Sequence, residues 1–132
     1  MKIKTIEGEK LNEHRFRGKT IDPEKVRYAA KVMEERVSAG LDVFDHDFPS
    51  GCSENYRYGH INTGGWEEGF WMGMLYYTWL LTGEEKFRRT AQGLLGIFDE
   101  MVKEPLDTHD IGFLYSLSTV ADYKLTGSEE QR

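Results

Sequence analysis

Residues 69–85, GFWMGMLYYTWLLTGEE, return in altered form at residues 112–130 as GFLYSLSTVADYKLTGSEE. Both stretches begin Gly-Phe and close on Leu-Thr-Gly, and the two Thr-Gly pairs stand 44 residues apart. A repeat of that length made of two helices is the unit of helical arrays and of toroids of helical hairpins. In the first copy, extended back to its opening tryptophan, Trp66, Phe70, Met74, Tyr77 and Leu81 fall on one helical face, and Gly83 stands where a C-cap is expected. Aromatic residues crowd its other sides too, which predicts burial on more than one face. Between the copies, residues 84–104 carry Phe87, Ala91, Leu94, Leu95, Phe98, Met101 and Val102 at spacings of three and four until Pro105 ends the run. A fourth helix is predicted over residues 110–125.

Upstream, IDPEKVRYAAKVMEERVSAG (21–40) reads as a helix capped by Asp22, with Pro23 at its first position, Val26, Ala30, Met33 and Val37 on its apolar face, and Gly40 as its stop. Residues 41–65 are broken by Pro49, Gly51, Asn55, Gly59 and Gly64-Gly65, so a long irregular connection is expected, of the kind that often carries function. With no alternating β-branched runs, the reading is all-α. Two repeats are too few to close an array, and KLTGSEEQR stops where LLTGEEKFRRTAQ launches its next helix, so the chain reads as truncated. The expected division is a polar segment over 1–20 followed by helical hairpins over 21–132.

The 132 residues include one cysteine, enough for a real core and too few for an internal disulfide. Net charge is −6 with the basic residues dispersed, which leaves no electrostatic footprint for nucleic acid or an anionic membrane. The polar start and the absence of about 18 consecutive apolar residues lead to the expectation of a soluble, cytoplasmic protein.

Trp66 and Phe70 are one helical turn apart, and the pattern alone leaves two readings open. They are core, or Trp66 at the helix start forms a platform on which the apolar face of a sugar stacks. His109-Asp110 holds the corresponding place in the second copy. Asp110 suits an ordinary N-cap, yet it also suits a cavity formed by two neighbouring helix starts. Asp107 nearby would raise a carboxyl pKa while the helix dipole would lower it, and the residues do not decide between these effects. The Asp45-His46-Asp47 run with His60 has metal-ligand chemistry without a recognised spacing, and Cys52 lacks a patterned partner. Gly59, Gly64, Gly65 and Gly69 do not form a phosphate-cradling pattern.

Together, WEEGFWMGMLYYTWLLTGEEKF (66–87), DTHDIGFLYSLS (107–118) and the later LTG resemble the amino-terminal part of the unsaturated glucuronyl hydrolases, glycoside hydrolase family 88, over roughly residues 20–132. The resemblance implies a barrel of six helical hairpins, an (α/α)6 toroid. It implies action on unsaturated uronic acid oligosaccharides left by polysaccharide lyases, with no metal or organic cofactor. Asp110 then matches one of two catalytic aspartates, and His109, Trp66 and Phe70 match residues lining the sugar subsite. In that family a vinyl ether between carbons 4 and 5 is hydrated: a proton goes to carbon 4, water adds at carbon 5, and the hemiketal expels the rest of the chain. The chief acid/base is the second aspartate, downstream of this chain's end, while the one matched by Asp110 contacts sugar hydroxyls and stabilises the transition state. Gly112-Phe113 is expected to let the helix pack tightly behind Asp110. About two of six hairpins are present, so the chain alone is expected to be incomplete and inactive. An unsaturated rhamnogalacturonyl hydrolase is the near alternative, against which THDIGF argues. The rival of another class is a non-catalytic helical-repeat module that binds protein through its aromatic faces.

Overall fold

The computed structural model describes residue 18 and residues 20–61, 65–103 and 109–131. The polar start, Pro105 and Asp107 lie outside the described residues, apart from Gly18 and Thr20. Helix α1 runs Pro23–Leu41, and Asp22 caps it by accepting from the Glu24 N–H at 2.9 Å. Only its C-terminal half packs: Val37 is buried and Met33 lies against the core, whereas Val26 is half exposed. The apolar face foreseen for α1 is thus used for about half its length.

The connection after α1 is not irregular, as its glycines and proline suggested. It forms an antiparallel hairpin of β1 (Phe48–Glu54) and β2 (Arg57–Ile61), one small sheet in a fold that is otherwise helical as expected. The register pairs Phe48 with Ile61 and Glu54 with Arg57, with an irregularity between Pro49 and Ser53. There the Ser50 hydroxyl donates to the Cys52 carbonyl and accepts from the Gly59 N–H, giving local backbone groups partners where the ladder is disturbed. Asn55 and Tyr56 turn the chain with φ of 50° and 63°. Phe48 anchors the hairpin, fully buried with its ring edge-on to Phe98 at 5.7 Å.

Helices α2 (Glu68–Thr82) and α3 (Glu85–Met101) form the central hairpin. Trp71, Met72, Leu75 and Tyr76 of α2 meet Phe87, Ala91, Leu94 and Phe98 of α3 in a core joined by Leu114. Burial on more than one face was expected of α2, but one face alone is buried: Trp66, Phe70, Met74, Tyr77 and Leu81 are all more than a third exposed, and the opposite face is covered. The fourth helix divides into α4 (Ile111–Ser116) and α5 (Thr119–Thr126). From Gly-Phe to Thr-Gly the second copy is one residue longer than the first, and the break at Leu117-Ser118 accommodates the surplus.

The repeat is nonetheless atomic in its detail. Gly83 and Gly127 end their helices in the left-handed region, with φ of 72° and 73°, and their N–H groups donate to the Trp79 and Tyr123 carbonyls. Thr82 and Thr126 each donate a hydroxyl to the carbonyl four residues back and accept from the N–H two residues on. Between the copies lies a buried polar link. The Asp122 carboxylate on α5 accepts from the Tyr76 hydroxyl at 3.0 Å, from Gln92 Nε2 at 3.1 Å and from the Thr126 hydroxyl at 3.3 Å. Burial first, and then the neighbouring carboxylate, pushes the Tyr76 phenol above its ordinary range, so it stays protonated and donating.

Candidate functional site

The site is built where the two copies of the repeat begin. On α2, Gly69 faces α4 so closely that any Cβ there would collide with the carbonyl oxygens of Phe113 and Leu114. Gly112 meets nothing within 4 Å, so the residue that permits the tight approach is Gly69, and the role expected for Gly112 is corrected. The close approach brings three rings together. Trp66 stands 5.7 Å from Phe70 and 6.0 Å from Phe113, and Phe70 lies 5.6 Å from Phe113. Trp66 is 38% exposed, Phe70 41% and Phe113 50%, so the cluster is a surface platform and not core. Burial would normally be favoured for such rings, so their joint exposure leaves an apolar face open at the starts of the two helices.

Asp110 begins α4 one turn before Phe113. It occupies the N-cap position with φ −87° and ψ 16°, yet its side chain makes no cap hydrogen bond. Its backbone carbonyl accepts from the Phe113 and Leu114 N–H groups at 2.9 and 3.3 Å, so the helix start is fixed through the main chain. The carboxylate therefore does not serve the capping role that the sequence left open. Asp110 keeps about a quarter of its side chain exposed, whereas His109 is 96% exposed with Nε2 3.6 Å from the Asp110 carboxylate. Phe70 thus lies in the first turn of α2 and Trp66 just before it, while His109 and Asp110 immediately precede α4, and the two helices touch through Gly69.

Sequence reasoning missed Phe113 as a member of this group. The repeat carried the signal, since Phe113 stands in the second copy where Phe70 stands in the first. Glu68 was missed as well. It is fully buried, its Oε1 accepts from the Gly65 N–H at 3.4 Å, and its Oε2 has no partner among the described residues. Desolvation raises its pKa above the ordinary 4.5 against the pull of the Gly65 N–H, and the neighbouring Glu67 adds to the rise. A carboxyl whose ionisation is disfavoured by burial thus lies two residues from Trp66.

Elsewhere His60 Nδ1 pairs with the Asp47 carboxylate at 2.7 Å, and Cys52 is exposed. Among the described residues no three His, Cys, Asp or Glu side chains converge as a metal site would require. No described helix is long and apolar enough to cross a membrane.

No protein-family model matches the chain. Among curated proteins it is 32% identical over 130 residues to an unsaturated chondroitin disaccharide hydrolase of Streptococcus pneumoniae, covering 97% of this chain and 33% of that one. It is 36% identical over 98 residues to the unsaturated glucuronyl hydrolase of a Bacillus species, covering 73% of this chain and 26% of that one. Among solved structures, a variant of the unsaturated glucuronyl hydrolase of Streptococcus agalactiae complexed with dGlcA-GalNAc6S superposes with a TM-score of 0.83 at 27% identity, over 99% of this chain and 36% of that one. The enzyme from Bacillus sp. GL1 gives 0.69 at 33%, over 76% and 27%. The chain spans about a third of the length of the curated relatives it matches.

Proposed function

We propose that this chain is part of an unsaturated glucuronyl hydrolase of glycoside hydrolase family 88, of whose curated relatives' length it spans about a third, and that its protein removes unsaturated uronyl residues from oligosaccharides. The observation that carries this reading is the exposed Trp66, Phe70 and Phe113 platform beside Asp110, at the paired starts of α2 and α4. An unsaturated uronyl ring presents a flattened apolar face, which stacks on the rings, and hydroxyl edges, which donate to a carboxylate.

In the proposed reaction the carbon 4–carbon 5 double bond takes a proton at carbon 4 and hydroxide from water at carbon 5. The hemiketal so formed opens to a ketone at carbon 5, which leaves the ring oxygen as a hydroxyl on carbon 1; that hemiacetal collapses to an aldehyde as its bond to the leaving saccharide breaks, and the proton it loses leaves the saccharide with a hydroxyl group. One water is consumed and no redox partner is required. Asp110 holds the ring hydroxyls and stabilises charge as it develops, with His109 beside it, while the chief acid/base is supplied from outside this chain. The proposed setting is cytoplasmic, on oligosaccharides imported after lyase cleavage. Loss of the ultraviolet absorbance of the conjugated double bond follows the reaction directly. In a chain of the relatives' length, Asp110→Asn is expected to lower turnover by about 100-fold or more. Undiminished turnover in that variant would remove Asp110 from the reaction.

A further inference from the structure

Glu68 and Asp122 are the acidic residues buried among those described, and their carboxyl groups are served differently. Asp122 accepts from Tyr76, Gln92 and Thr126. Glu68 has a single bond from the Gly65 N–H to Oε1, and its Oε2 has no partner among the described residues. It shares a helical face with Trp71, Met72 and Leu75, all buried, where an apolar side chain would pack without orphaning an oxygen. Stability alone therefore does not account for a carboxyl at this position.

What the carboxyl does is hold the segment that leads into the helix. The Glu68 N–H donates to the Gly65 carbonyl at 3.3 Å, and Glu68 Oε1 accepts from the Gly65 N–H at 3.4 Å. Both backbone polar groups of Gly65 are thus tied to one residue, in the reciprocal manner of a capping box. Glu67, at the N-cap position itself, makes no side-chain cap bond. Trp66 is the second residue of the turn that Glu68 closes. Gly64 and Gly65 precede it in the sequence, and glycine's backbone freedom would otherwise let the indole swing. Its ring meets Phe70 and Phe113, which are themselves partly exposed, so packing restrains it from one side only.

We propose that Glu68 is a positioning residue for the platform: through its two links to Gly65 it fixes the backbone before Trp66, and so the indole on which the saccharide ring stacks. The proposal rests on the sugar-binding role read above for the platform. It accounts for a carboxyl kept on an apolar face, where it weakens the fold.

The test uses the protein at the relatives' length and an unsaturated uronyl disaccharide. Glu68→Met keeps the length of the side chain and removes the acceptor, and Glu68→Leu takes its place should that variant fail to fold. Its melting temperature is expected to equal or exceed the parent's, while KM rises about tenfold and kcat changes by less than about twofold. Glu68→Gln, which keeps an acceptor for the Gly65 N–H, is expected to retain the parent's KM. In a Trp66→Ala background Glu68→Met should change KM by less than about twofold, because the residue through which it acts is gone. A purely structural Glu68 would instead move KM and melting temperature together. An unchanged KM in Glu68→Met, a Glu68→Gln that behaves like it, or a full effect without Trp66 each overturns the proposal. The fluorine resonance of fluorotryptophan at position 66, assigned by its loss in Trp66→Phe, reads the placement of the ring without substrate. One sharp line in the parent and in Glu68→Gln, split or broadened in Glu68→Met, is expected even if no unsaturated uronide is consumed. A line that Glu68→Met leaves unchanged overturns the positioning role.

Discussion

Glu68, buried at the first position of α2 with one oxygen unpartnered, is favoured in its neutral form. Because its folded pKa lies above the ordinary 4.5, its contribution to stability is complete below that pH and is lost as pH rises through the folded value. Glu68→Gln keeps an acceptor for the Gly65 N–H and cannot ionise. Its melting temperature should exceed the parent's at pH 7 and match it at pH 4, and an equal shift at both would show that the carboxyl does not titrate. Phe113 makes a second prediction at this scale, as Phe113→Ala should raise KM by about tenfold with a smaller change in kcat. Both residues were partly legible. Glu68 shares a helical face with Trp71, Met72 and Leu75, which foretells its burial better than its charge denies it, and the repeat pairs Phe113 with Phe70. The failure of Asp110 to cap α4 with its side chain had no sequence signal, because a cap and a site residue need the same amino acid at the same place.

At the scale of elements, helix-breaking residues were easy to read and strand signals were not. Gly83, Gly127 and the Asp22-Pro23 start lie where their chemistry places them. The hairpin was hidden because most of its residues are exposed on both sides, so no apolar alternation exists, and because Pro49 and Gly51 fall at its irregularity. Burial of α2 on more than one face was expected for a related reason: both sides of the helix are apolar, and periodicity cannot tell which side a partner covers. Contact between α2 and α4 hangs on one glycine. Gly69→Ala should cost about 1–3 kcal/mol by denaturant midpoint, because the new methyl meets backbone carbonyls that cannot step aside. Gly112→Ala, in open space within α4, should instead be neutral or stabilise by about 0.5–1 kcal/mol. The reverse order would mean that the two helices do not meet as described.

For the molecule as a whole, the repeat foretold helical hairpins, and the solved neighbours supply the toroid of which this chain spans about a third. Tyr77, Leu80 and Leu81 line the exposed side of α2, and Leu125 is exposed on α5. Apolar surface of this extent is what the next hairpins of a closed toroid would cover. Leu81→Ser should therefore change the stability of these 132 residues by less than about 0.5 kcal/mol. In a chain of the relatives' length the same change should cost about 2 kcal/mol or more. Equal small effects in both would show that closure leaves this face in water. The proposed role of the platform and Asp110 is tested most directly by the loss of ultraviolet absorbance from an unsaturated uronyl disaccharide given to the protein at the relatives' length, with and without Asp110→Asn. The parent should consume the double bond, and the variant should do so about 100-fold more slowly. An inert parent across several unsaturated uronides, or a variant as fast as the parent, would contradict that role.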